Sequence, residues 1–118
     1  MSTRINKSID CFKRAIQISR NLDKPVAVAN SLGNLALTHK RIGDYAKSLS
    51  LFKEIIQIYT ENDIKRQLGV AMLNYANTLY YIGYTDKAKI HYLDALESGK
   101  KFNALPLIGM VYRALGLL

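Results

Sequence analysis

The sequence has little of what stops helices, cross-links chains or carries catalysis. Only two prolines, Pro25 and Pro106, occur in 118 positions. Long stretches therefore lack the residue that removes a backbone donor and breaks a helix interior. β-branched alternation is scarce, which leaves long helices as the natural reading. The single cysteine, Cys11, excludes an internal disulfide and fits a reducing compartment. Residues 105–112 form the longest low-polarity stretch, far too short to span a bilayer. Arg4, Lys7, Asp10, Lys13 and Arg14 leave no room for the apolar centre of a signal peptide. A cytoplasmic location is the expectation.

Acidic residues are few as well, nine against 17 lysines and arginines, for a formal charge of +8. Such an excess steers acidic partners, nucleic acid or anionic surfaces toward the chain without choosing among them. The chemistry-bearing patterns are missing too. His39 and His91 stand far apart in sequence, and no phosphate-cradling glycine loop, paired metal spacing or nucleophile elbow occurs. The expectation is a chain that is no enzyme and that holds neither metal nor cofactor. Hydrophobic residues make up 49% and charged residues 22%, which excludes wholesale disorder and fits one domain at most.

What is present is a repeat. Shifting the sequence against itself by 40 positions places Gly43 on Gly83 and Phe12 on Phe52 and Tyr92. Ser8 falls on Ser48 and Ala88, Ala15 on Ile55 and Ala95, and Leu32 on Met72 and Tyr112. Asn34 falls on Asn74, Ala36 on Ala76 and Gly116, Ile42 on Ile82, and Asp23 on Asp63 and Asn103, without a gap. Leu32, Leu35 and Ala36 have the spacing of one apolar helix stripe, repeated by Met72, Tyr75 and Ala76. Ser48, Phe52 and Ile55 mark the stripe of the next helix, repeated by Ala88, Tyr92 and Ala95. Small residues allow close approach of helix axes, and the aromatic fills the groove beside them. Gly43 and Gly83 suit the positive φ that ends a helix, with Asp44 and Thr85 as caps for the next one. Asp23, Asp63 and Asn103 read as caps before the alternate helices. The layout is all-α, with about six antiparallel helices over 3–21, 25–42, 45–61, 64–82, 85–101 and 104–118.

These residues carry a family resemblance. The tetratricopeptide repeat pattern runs W-x2-L-G-x2-Y, A-x3-F, then P. Here its first block reads Leu32, Leu35, Ala36 and His39, then Met72, Tyr75, Ala76 and Leu79, and begins again at Tyr112, Leu115 and Gly116. Its second block reads Ser8 to Phe12, Ser48 to Phe52 and Ala88 to Tyr92. The closing proline is missing, with Thr60 and Lys100 in its place, and the period exceeds the usual length of about 34. The chain resembles the long-period arrays of kinesin light chains, of cell-polarity adaptors and of bacterial peptide-pheromone receptors. Armadillo and HEAT repeats fit the Gly-Asp-Tyr turn and the Ala-x3-aromatic block less well. The resemblance implies a right-handed α-α superhelix, a solenoid of two whole repeats, 25–61 and 64–101, flanked by half-repeats 3–21 and 104–118. It also implies a fragment of a longer array that could self-associate head to tail through its unpaired end helices.

In such arrays the first helix of each pair lines a concave surface that holds a peptide or protein segment. Helical spacing and family likeness turn Asn30, Asn34, Leu37 and Arg41 inward in one repeat. They turn Val70, Asn74, Asn77 and Tyr81 inward in the next, then Met110, Ala114 and Leu117, with Lys40, Tyr80 and Arg113 on the shoulders. Asn34 and Asn74 stand out, because an amide that both donates and accepts can grip a peptide backbone of any sequence. Their alternative role is to cap or bridge helices. Lys40, Arg41 and Arg113 favour an acidic ligand or a C-terminal carboxylate, with solvated surface charge as the plainer role of each. The two-carboxylate clamp of the chaperone-tail binders is incomplete here, since Asn30, Met110 and Ala114 stand where its basic residues should be. The leading expectation is therefore a protein-interaction scaffold without membrane contact. The peptide-sensing domain of a bacterial regulator is a narrower version. RNA or DNA binding ranks below both, because no basic stripe is interleaved with aromatics.

Overall fold

A computed structural model describes residues 2–117 of the chain, and among the described residues it contains six α-helices and no strand. They are α1 (Thr3–Asn21), α2 (Pro25–Arg41), α3 (Tyr45–Glu61), α4 (Lys65–Tyr81), α5 (Thr85–Lys101) and α6 (Leu105–Gly116). Each lies within one residue of its expected bounds except at the C-terminus, where α6 closes at Gly116; position 118 lies outside the described residues. The helices form two compact units, Met1–Asn62 and Asp63–Leu118. In the first, α2 packs against α1 and α3; in the second, α5 packs against α4 and α6, and α6 also touches α4.

The turns explain the regular spacing. After α2, the Gly43 N–H donates to the Lys40 carbonyl at 3.1 Å and the Asp44 N–H to the His39 carbonyl at 2.8 Å. This pair of bonds closes a helix end and demands a left-handed residue, which glycine supplies at φ 86° in Gly43 and 97° in Gly83. Asp44 then caps α3 by accepting from the Lys47 N–H at 3.3 Å. Thr85, by contrast, is the first residue of α5, and Tyr84 precedes it without a side-chain cap.

The second kind of turn departs from expectation. Asp23, Asp63 and Asn103 do not cap the succeeding helices; Lys24, Ile64 and Ala104 stand at those N-caps without side-chain bonds. Instead the three residues adopt left-handed φ values of 52°, 55° and 53° and terminate the preceding helices. Asp and Asn are the side chains that tolerate this region best after glycine. Pro25 and Pro106 sit in the first turns of α2 and α6, where a missing N–H costs nothing.

The core tracks the repeat columns. Ala36 and Ala76 are fully buried, as are Ser48 and Ala88, and the aromatic column is nearly so at 2% exposed for Phe52 and 1% for Tyr92. In the second unit α6 needs extra room. A Cβ on Gly99 would stand 3.0 Å from Ile108 Cγ1, and one on Gly69 would overlap Leu107 Cδ2. One repeat earlier the same places hold Tyr59 and Ala29, both buried. The two glycines form the notch that seats α6.

Ser48 carries a flaw that its counterpart Ala88 avoids: its hydroxyl is buried and has no hydrogen-bond partner among the described residues. Ser48→Ala should therefore raise stability by about 0.5–1.5 kcal/mol, the cost of an unpaired buried polar group being removed with no loss of packing. Urea titration should show a higher midpoint at unchanged slope. A lower midpoint would mean that the hydroxyl is paired in solution.

Candidate functional site

On α2, Leu32, Leu35 and Ala36 point into the first unit and are buried. The opposite stripe, at i, i+4, i+7 and i+11, holds Asn30, Asn34, Leu37 and Arg41, and all four are exposed. Leu37 is 47% exposed, a large apolar side chain facing water beside two amides. Among the described residues, the side chains of Asn30 and Asn34 have no hydrogen-bond partner, and Arg41 forms no ion pair. Beneath it, Thr38 Oγ1 donates to the Asn34 carbonyl at 2.9 Å. Lys40, next to this stripe, is partly desolvated, and burial pulls its pKa below the ordinary lysine value.

The corresponding stripe of α4 in the second unit holds Val70, Asn74, Asn77 and Tyr81. Val70 and Tyr81 are exposed, whereas Asn74 and Asn77 are half-buried. Thr78 repeats the backbone bond, donating from Oγ1 to the Asn74 carbonyl at 2.9 Å. Asn74, like Asn34, keeps its amide unbonded among the described residues. Asn77 does not. The Tyr92 hydroxyl on α5 donates to Asn77 Oδ1 at 2.6 Å. Burial first, and the nearby Tyr80 second, push the Tyr92 phenol above its ordinary pKa, so it remains a donor at neutral pH. Helical spacing placed Asn77 on an open face and Tyr92 in the core, and it missed the bond joining them. A signal existed: Leu37 and Phe52 one repeat earlier change together into Asn77 and Tyr92.

Arg113, Met110 and Leu117 are exposed on or beside α6. Tyr80, expected on a shoulder, donates its hydroxyl to the Leu117 carbonyl at 3.3 Å. The remaining reactive side chains stand apart. His39 is packed with both ring nitrogens short of a hydrogen-bond partner, Asp44 Oδ2 lying 3.4 Å from Nδ1. His91 makes an edge-on contact with the Tyr75 ring at 4.8 Å, and Cys11 is exposed on α1. Among the described residues no group of three His, Cys, Asp or Glu is placed to hold a metal, and no helix is long and apolar enough to cross a membrane.

This geometry of paired helices, with a buried small-and-aromatic seam and a polar first-helix face, has known counterparts. The family model described as Tetratricopeptide repeat matches the chain twice, over residues 2–61 and 28–101. The chain belongs to the tetratricopeptide repeat family. Among solved structures, the crystal structure of BtubC (BKLC) from P. vanneervenii matches this tetratricopeptide chain with a TM-score of 0.85 at 20% identity. The match covers 98% of this chain and 48% of that one, so this array spans about half the length of its structural counterpart. At that identity the likeness establishes the fold, a helical-repeat solenoid. No curated protein matches the sequence at a significant level.

Proposed function

We propose that this chain is an interaction module in which each unit binds another protein through its exposed first-helix face, α2 in the first unit and α4 in the second. Tetratricopeptide repeats mediate protein–protein interaction, and the finer reading rests mainly on one observation. Asn34 and Asn74 occupy the same place in successive repeats with their amides unbonded, while the backs of the same helices are buried in the core. An unpaired amide offers two donors and an acceptor, the set that pairs with a peptide backbone irrespective of side chains. Leu37 adds an apolar contact, and Arg41, a cation without an ion pair among the described residues, favours an acidic segment. The charge of +8 speeds encounter with such a partner. The cytoplasm is the compartment this reading assigns, and the role is that of an adaptor or scaffold.

Capture from native lysate with the immobilised full chain tests this. The bait should retain a protein after nuclease treatment, and a peptide taken from that protein should compete for the bait. Retention that disappears with nuclease and falls steeply with salt would instead identify a nucleic-acid binder, through counterion release.

A further inference from the structure

The two repeats do not offer a ligand the same chemistry at the same place. Position 37 in the first repeat is leucine, 47% exposed, and position 52 is a buried phenylalanine. Forty residues on, both change: Asn77 replaces the leucine, Tyr92 replaces the phenylalanine, and the two are hydrogen bonded at 2.6 Å. Tyr92 is 1% exposed, so its hydroxyl is a buried donor that depends on Asn77 Oδ1. Asn77 cannot swing away without stranding that donor, and a stranded buried donor is expensive. The carboxamide is thus held with its oxygen committed to the core. Its nitrogen has no partner among the described residues and remains the end available to a ligand.

We propose that Asn77, oriented by Tyr92, reads a backbone carbonyl of a protein segment bound on α4 through Nδ2, whereas the corresponding Leu37 on α2 offers only apolar contact. Tyr92 is then a positioning residue, acting on the ligand only through Asn77. Asn74, whose amide has no hydrogen-bond partner among the described residues, can turn either end to a ligand; the Tyr92 bond fixes the Asn77 carboxamide so that Nδ2 is the end presented. The second repeat therefore selects for an unpaired carbonyl at that point of the segment. This inference rests on the proposed role of the α2 and α4 faces.

A double-mutant cycle tests it, using the full chain and a probe peptide selected on it from a random dodecapeptide phage library. The variants are Asn77→Leu, Tyr92→Phe and the double change, which restores the pair that the first repeat already folds with. Asn77→Leu should weaken the probe roughly tenfold, as expected for one hydrogen bond in a desolvated site. Tyr92→Phe should weaken it about threefold through lost orientation, and the double variant should be no weaker than Asn77→Leu alone. Replacing one probe amide by an ester, which weakens its carbonyl as an acceptor, should weaken binding to wild type and leave binding to Asn77→Leu unchanged. Unchanged affinity in Tyr92→Phe, or a loss of the same size in the Asn77→Leu background, would overturn the positioning role while leaving the binding faces in place. If wild type selects no peptide at all, the binding faces themselves are misassigned and the inference falls with them.

Discussion

Phe52→Ala should destabilise the protein by about 3–5 kcal/mol, a large share of the stability available to a chain of this size. Phe52 is 2% exposed in the first unit, and removing its ring leaves a cavity that a close-packed core cannot refill without displacing other buried side chains. Thermal unfolding followed by circular dichroism should show a midpoint lower by roughly 10–25 °C. The same substitution in the same column gives the control. Phe12 is only half-buried on α1, so Phe12→Ala should cost about 1–2 kcal/mol. Equal losses at both positions would mean that the column, and not the burial it achieves, sets the energy. A loss under about 1 kcal/mol at Phe52 would contradict the seam itself.

That seam is legible in the sequence because several independent constraints agree at each column. A shift of 40 aligned glycine with glycine at 43 and 83 and aromatics at 12, 52 and 92, so helix bounds emerged to within a residue except at the end of α6. The turns at Asp23, Asp63 and Asn103 depart from the sequence expectation for a physical reason. Asx residues favour both the N-cap and the left-handed position after a helix, and three residues between helices leave both roles within reach. Only the backbone angles decide, and they assign the three residues to helix termination. Exposure on the first-helix faces was legible for Asn30, Asn34, Leu37 and Arg41 but less so for Asn74 and Asn77. Periodicity gives the direction of a side chain, whereas burial depends on what arrives from a neighbouring helix, as Tyr92 arrives from α5.

Replacing Asn34 and Asn74 together by alanine should weaken partner binding by roughly 1–3 kcal/mol for each amide. The cost arises because a peptide backbone group desolvated against the helix face would lose its partner. Stability should hardly move, since neither side chain is hydrogen bonded among the described residues. Titration calorimetry with the captured partner, beside a thermal melt of the variant, separates the two effects. Unaltered affinity would remove the asparagines from the site. A melt lowered as far as that of Phe52→Ala would make them structural.

The most direct test of where this chain works is site-specific photocrosslinking in native lysate. A benzoylphenylalanine at position 34 or 74 stands on a first-helix face, while at Lys47 or Lys87 it stands on exposed sites of α3 or α5. The proposed function predicts that one partner is captured from positions 34 and 74, and is lost when a competing peptide from that partner is added. Capture of the same partner from positions 47 and 87, with none from 34 and 74, would contradict it.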